Sequence, residues 1–95
     1  MPTYQPSPEF LQLHSKLTPE QRSAFRAAVV KFIEDLGRGQ GFRKGLGVKG
    51  IESKPGLYEM RWADDGRAVW SYGEPIVEGE PHVLWHAIGT HAVLD

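Results

Sequence analysis

Apolar residues in the first half of the chain recur at helical spacing. Between positions 19 and 36 they fall every three or four residues, at Phe25, Ala28, Val29, Phe32, Ile33 and Leu36. This spacing predicts a helix over 19–36 that buries one face. Thr18, Pro19 and Gln21 form a typical helix start, and Gly37 predicts the end of the helix. A shorter apolar set predicts a preceding helix over 8–16 that packs against the first as a hairpin.

The second half of the chain changes from helical to alternating periodicity. Four short runs follow a glycine-rich link and predict strands over 46–51, 57–63, 67–72 and 82–89. Helices that precede strands in this way are typical of an α+β domain. We therefore expect a single domain over 1–95, in which a helical hairpin packs on one face of a small twisted antiparallel sheet of about four strands.

The predicted hairpin over 57–72 separates apolar from polar side chains if its loop has three residues, 64–66. Three pairs then face the helices: Tyr58 with Tyr72, Met60 with Trp70, and Trp62 with Ala68. A two-residue loop would put aromatic residues on both sides of the sheet, so the longer loop is preferred. The opposite side of the hairpin then carries Glu59, Arg61, Arg67, Val69 and Ser71.

The last predicted strand bears on metal binding. If Val83, Trp85 and Ala87 join the core, His82 and His86 lie on the polar side of the sheet. Four residues along a strand span about 13 Å, which is too far for the two imidazoles to share one ion. The chain also has no cysteine. We therefore expect no metal site.

Composition narrows the class of protein further. Residues 1–9 lack the features of a signal peptide, and no apolar run approaches the ~20 residues that cross a bilayer. We expect a soluble cytoplasmic protein with no membrane partner. Eleven Lys and Arg against twelve Asp and Glu give a formal net charge of -1, which does not favour a nucleic-acid binder. Residues 38–54, however, hold five basic side chains and one acid, and local charge density is what binds phosphate.

Arg61 and Arg67 are the first candidates for chemistry. Guanidinium groups stay charged and can grip two phosphate oxygens, although both arginines could instead pair with nearby carboxylates. His91 can exchange a proton near neutral pH, although a lone histidine is more often structural. Together, two arginines and one histidine suffice for metal-free transfer of a phosphoryl group to the 2'-hydroxyl of an RNA.

Several segments, in their order and spacing, resemble a branch of the RelE/ParE toxin superfamily. They are Phe42-Arg43-Lys44-Gly45-Leu46-Gly47-Val48-Lys49, Gly56-Leu57-Tyr58-Glu59-Met60-Arg61-Trp62, Asp65-Gly66-Arg67-Ala68, His82-Val83-Leu84-Trp85 and Ile88-Gly89-Thr90-His91. They lie within residues 42–91, roughly half of the chain, and the two predicted helices suit the family's topology. The resemblance implies the toxin of a type II toxin–antitoxin system, with a cognate antitoxin as partner and no cofactor.

The RelE-like branch implies a ribosome-dependent endoribonuclease that cuts messenger RNA and so inhibits translation. By the same resemblance Arg61 and Arg67 are candidates to hold the phosphate, and His91 follows the last strand, where the family often places an arginine or histidine. In the reaction scheme we expect Glu59 or His91 to act as the base. Further RNA- or phosphate-binding candidates are Arg43, Lys44, Lys49, Lys54 and His86. The alternative is a non-cleaving binding protein, either a gyrase inhibitor of ParE type or a member that binds only its antitoxin.

Overall fold

A computed structural model describes residues 1–94 of the chain. Its strands are β1 (Thr3–Pro6), β2 (Lys49–Gly50), β3 (Tyr58–Arg61), β4 (Gly66–Gly73) and β5 (His82–Thr90), and its helices are α1 (Pro8–Ser15) and α2 (Pro19–Arg38). Short 3-10 turns cover Lys44–Leu46 and His91–Leu94. The strands form one sheet in the order β1-β5-β4-β3-β2, which is antiparallel except for β1 beside β5. The predicted α+β class is confirmed.

Helix α2 begins where the sequence predicts and ends slightly later. The Thr18 side chain accepts from the Gln21 backbone N–H, and the Gln21 side chain accepts from the Thr18 N–H, so the capping box is closed. Gly37 lies inside the helix, against Pro2. The helix ends at Gly39, whose left-handed conformation (φ 69°) suits a residue without a Cβ. No helix in residues 1–94 is long and apolar enough to cross a membrane.

Aromatic side chains dominate the core between the two helices and the sheet. Phe32 of α2 is fully buried at its centre. Its ring centroid lies 4.9 Å from that of Trp70, 5.1 Å from that of Phe42 and 5.3 Å from that of Trp85. The helices therefore cover one face of the sheet. We call the other side of the sheet the open face.

The fifth strand, β1, is absent from the sequence-based prediction of about four strands. It pairs in parallel with β5, and Thr3 Oγ1 lies 2.7 Å from His82 Nδ1. Pro2 and Pro6 hide its strand pattern, but proline is tolerated because β1 is an edge strand. The strand predicted over 46–51 shrinks to Lys49–Gly50, because the preceding residues turn into a 3-10 helix.

The β3–β4 hairpin keeps the predicted division of faces but has a different register. Tyr58 pairs with Trp70 and Met60 with Ala68, and the three-residue loop is 63–65 rather than 64–66. Gly66 is the first residue of β4, where it pairs with Thr90, and the Trp62 ring lies directly over it. A Cβ at Gly66 would approach this ring to 2.6 Å. The register moves by an even number of residues, so the aromatic side chains still face the helices.

A β-bulge in β5 changes which side chains of that strand enter the core. Val69 pairs with Ala87 and Trp70 with Trp85, which leaves His86 as the extra residue. Beyond the bulge the alternation is displaced by one position. Ile88 is therefore buried in the core, where Ala87 was expected.

Candidate functional site

The open face of the sheet carries the charged residues of the hairpin in two adjacent rows. In one row Lys49 of β2 pairs with Glu59 of β3. In the next row Arg61 of β3 pairs with Arg67 of β4. Neighbouring strands in a sheet lie about 4.8 Å apart, so the charges of both rows are close enough to act on one ligand.

These rows form a pocket of about 200 Å³, which we call the sheet pocket. Its lining residues are Gly47, Val48, Lys49, Glu59, Arg61 and Arg67. Gly47 has a left-handed conformation (φ 54°), and a Cβ there would lie 3.3 Å from the Arg61 Cβ. A glycine is thus required for the loop before β2 to approach β3 closely. The pocket brings together four of the nine site candidates named from the sequence.

The two arginines of the sheet pocket have different surroundings. Arg61 is exposed, and within residues 1–94 its side chain forms no hydrogen bond or ion pair. Arg67 is largely buried, and its Nη1 donates to the carbonyl oxygens of Ala63, Asp64 and Gly66 at 3.3, 3.1 and 2.9 Å. Arg61 is therefore available to a ligand, whereas Arg67 holds the β3–β4 turn.

Glu59 is the acidic group of the sheet pocket. It is 8 % exposed, and its Oε1 lies 3.8 Å from Arg67 Nε. Arg67 therefore lies close to the Glu59 carboxylate and also donates to the carbonyls of the β3–β4 turn. Glu59 can accept a proton or a hydrogen bond from a ligand hydroxyl, since an ionised carboxylate has several acceptor positions.

Arg43 lies outside the sheet pocket and is engaged elsewhere. Its guanidinium forms a bidentate pair with Asp35 (Nε–Oδ2 2.9 Å, Nη2–Oδ1 2.8 Å) and contacts Glu34 at 3.1 Å. The Arg43 hydrogen bonds lower the pKa of the buried Asp35 carboxyl to about 2. The same pairing raises the pKa of Arg43. This pair ties the glycine-rich link to the end of α2. Lys44, in the 3-10 turn, and Lys54, between β2 and β3, also lie outside the sheet pocket.

Three of the four histidines belong to the sheet or to the turn after it, and they lie in separate places. His86, at the bulge, lies with its Nε2 2.7 Å from Ser71 Oγ on the open face. His82 is buried beside β1. His91 is exposed after β5, and its backbone N–H donates to Asp65 Oδ1 at 3.4 Å, so it lies beside the β3–β4 turn. Among residues 1–94 no three His, Asp or Glu side chains are grouped to hold a metal ion.

Ser71 is a site residue that the sequence reasoning did not single out. The alternation of the hairpin puts it on the open face, which was the available signal. Its pairing with His86 depends on the bulge, because the bulge displaces β5 by one residue against β4. This hydrogen bond orients the imidazole at the middle of the open face.

Comparison with solved structures shows the fold. YafQ from E. coli strain BL21(DE3) superposes with a TM-score of 0.69 at 12% identity, over 99% of this chain and 98% of that one. A chain of the E. coli DinJ-YafQ toxin-antitoxin complex gives a TM-score of 0.67 at 12% identity, over 98% and 96% of the two chains. The chain has the fold of the YafQ and RelE toxins.

The chain also superposes on a chain of the RelB-RelE antitoxin-toxin complex from Methanococcus jannaschii. Its TM-score is 0.61 at 11% identity, over 94% of this chain and 92% of that one. No protein-family model and no curated protein sequence matches the chain. The toxin fold is therefore shared through nearly whole chains, while the roles of the site residues remain predictions.

Proposed function

We propose that this chain is the toxin of a type II toxin–antitoxin pair and that it inhibits translation by cutting messenger RNA on the ribosome. The observation that carries the proposal is the sheet pocket, which places the unpaired Arg61 beside Glu59 on the open face of a toxin fold. A cation beside a carboxylate suits attack by a 2'-hydroxyl on the adjacent phosphate.

The proposed reaction needs no metal ion. A base takes the proton of the 2'-hydroxyl, and the 2'-oxygen bonds to the adjacent phosphorus. The bond from phosphorus to the 5'-oxygen of the next nucleotide breaks, and an acid protonates that oxygen. The products are a 2',3'-cyclic phosphate and a 5'-hydroxyl. Negative charge builds up on the phosphorane oxygens, where fixed cations stabilise it.

Arg61 and Lys49 are the cations that we assign to the phosphorane. Both side chains are exposed and line the sheet pocket. We assign the base to Glu59 or His91. Glu59 is already in the pocket, whereas His91 lies beside the β3–β4 turn. Arg67 keeps Glu59 and the turn in place, which differs from the direct phosphate contact expected from the sequence.

The remaining candidates form the outer part of the proposed RNA surface. Lys44 and Lys54 flank β2, and His86 lies on the open face next to Ser71. We assign them to contacts with neighbouring phosphates, which position RNA without reading its sequence. Arg43 contributes charge near the same loop while it stays paired with Asp35.

The proposed partner is an antitoxin encoded beside the toxin. The solved structures with this fold include the antitoxin complexes DinJ-YafQ and RelB-RelE. A helix or strand laid over the open face would cover Arg61 and Glu59 and so block RNA. We expect a small neighbouring protein to co-purify at nanomolar affinity. Failure of every adjacent small protein to bind would contradict this part of the proposal.

The activity is tested by induced expression without the antitoxin. Growth should stop, and primer extension should map new 5' ends within translated messages. Arg61→Ala should lower the cleavage rate about a hundredfold, as expected for the loss of one charge-stabilising group. Lys16→Ala, an exposed lysine on the helical side, is the matched control and should remain toxic. Full growth at high soluble expression of the wild type would refute the toxin assignment.

The contribution of His91 is tested separately. His91→Ala should suppress cleavage if its imidazole takes the proton. His91→Arg should retain RNA binding but change the pH dependence of cleavage, because arginine does not titrate near neutral pH. Glu59→Gln serves as the competing variant. Wild-type cleavage in His91→Ala, together with loss of cleavage in Glu59→Gln, would assign the base to Glu59.

A second candidate function is binding without cleavage. It is favoured by two ion pairs within the chain, Arg43 with Asp35 and Arg67 with Glu59, because they leave fewer cations for RNA. The net charge of -1 favours it as well. Such a protein would inhibit gyrase or bind its antitoxin alone. Cleaved complexes of DNA and gyrase that accumulate after induction would identify the gyrase inhibitor. An absence of both RNA and DNA breaks would leave the antitoxin as the sole partner.

A further inference from the structure

A second pocket lies on the helical side of β3, and we call it the helix pocket. It has a volume of about 540 Å³ and lies between α2, the 3-10 turn at 44–46 and the β3–β4 turn. Helix α2 contributes Ala24, Ala27 and Lys31 to its lining. The small alanine side chains leave room between the helix and the turn. The helix pocket is thus an open cleft beside a lysine.

Arg61 joins this cleft to the candidate site. Its side chain lines both the helix pocket and the sheet pocket. The two cavities therefore lie on either side of one arginine at the β3 edge. A linear polymer held by Arg61 in the sheet pocket would enter the helix pocket if it continued past that side chain.

The charges of the helix pocket favour an anion. Within residues 1–94 the exposed Lys31 side chain forms no hydrogen bond or ion pair, as is also true of Arg61. Arg43 lines the same pocket, but Asp35 and Glu34 already neutralise it. Among the described residues Asp64 is the only acidic one in the lining. In the described part of the chain the lining therefore holds two unpaired cations, Lys31 and Arg61, and one carboxylate, Asp64.

We propose that the helix pocket is a second RNA subsite, in which Lys31 binds a phosphodiester that neighbours the one held by Arg61. The inference rests on the proposed function, since it assumes that the polymer in the sheet pocket is single-stranded RNA. Lys31 contributes to binding and is remote from the reacting atoms. Its removal should therefore weaken RNA affinity and leave the rate of the bound complex unchanged.

The test measures fluorescence anisotropy with 2'-O-methyl oligouridylates, which the proposed reaction cannot cut because the 2'-oxygen is blocked. A short and a long oligonucleotide, a dinucleotide with a single phosphodiester and a chain of about ten nucleotides, separate one subsite from two. Lys31→Gln should weaken binding of the long oligonucleotide about three- to tenfold and reduce its salt slope by about 0.7, the value for one phosphate contact on a single strand. Binding of the short oligonucleotide should not change.

Three further variants control for charge and position. Lys31→Arg should restore the affinity, because it keeps the cation. Lys16→Gln removes an exposed lysine directly after α1 and should have no effect on either oligonucleotide. Ala27→Glu adds a negative charge to the exposed wall of the helix pocket and should weaken long-oligonucleotide binding more than Ala27→Gln does. Both residues at position 27 are compatible with a helix surface.

The outcomes separate this inference from the proposed function. Equal affinity of Lys31→Gln and wild type for the long oligonucleotide, with weaker binding by Arg61→Ala, would overturn the subsite and leave the proposed function intact. Lys31-dependent binding without any cleavage of messenger RNA would keep the subsite and overturn the nuclease. A wild type that binds neither oligonucleotide would overturn the subsite, while the proposed function would still be decided by cleavage of messenger RNA after induction.

Discussion

Replacing Arg67 with alanine should destabilise the protein, whereas replacing the neighbouring Arg61 should not. The Arg67 side chain is 14% exposed, and its Nη1 donates to three carbonyl oxygens of the β3–β4 turn. Its Nε also lies 3.8 Å from Glu59 Oε1, on a carboxylate side chain that is 11% exposed. Alanine at position 67 would remove these hydrogen bonds from the turn. It would also leave the Glu59 carboxylate without the Arg67 cation.

The expected loss can be worked out from these contacts. A hydrogen bond from a charged group contributes about 1.5–3 kcal/mol when it is well shielded, and the turn carbonyls are partly exposed. We therefore expect Arg67→Ala to lower the free energy of unfolding by about 2 kcal/mol. For a domain of this size that corresponds to a fall of about 10 °C in Tm. Arg61→Ala should stay within about 0.5 kcal/mol of wild type, as is usual for an exposed side chain.

Urea titration followed by tryptophan fluorescence measures both variants, because the three tryptophans lie in the core. Arg67→Lys is the intermediate case, since lysine keeps the charge but lacks the forked donors. It should recover part of the lost stability. An unfolding midpoint of Arg67→Ala equal to that of wild type would refute the structural role. A simultaneous loss of RNA affinity would then return Arg67 to the phosphate-binding role expected from the sequence.

Three further measurements probe the core, the ion pair and the chemistry. Phe32→Ala should lower the free energy of unfolding by about 3–5 kcal/mol, because it empties the centre of the aromatic cluster; a smaller loss in urea titration would mean that the core refills the space. The Asp35 pKa, lowered from 3.8 to about 2, implies stability that is present above pH 3.8 and is lost as pH falls towards 2. Thermal unfolding at a series of acid pH values should show this dependence in wild type and a weaker one in Asp35→Asn. EDTA should not change the rate of RNA cleavage, and inhibition that a divalent ion reverses would contradict the metal-free reaction.

Much of the fold could be predicted from local patterns. The capping box at Thr18 and the helical spacing after it predict α2, because these signals act within a few residues. The alternation around Met60 predicts which side of the hairpin faces the helices. This prediction survives the change of register because side chains alternate with a period of two. The order of elements, helices first and strands after them, predicts the α+β class.

The tertiary structure decided what depends on residues far apart in sequence. It placed β1 beside β5, introduced the bulge at His86, and set the Trp62 ring over Gly66. It also gave the arginines their different surroundings, since the carboxylate or carbonyl that a guanidinium reaches depends on long-range packing. The sequence by itself determined that residues 38–54 are rich in basic side chains and that Arg61 and Arg67 follow them. Only the folded chain decided that the Arg61 side chain is exposed while the Arg67 guanidinium donates to the carbonyls of the turn.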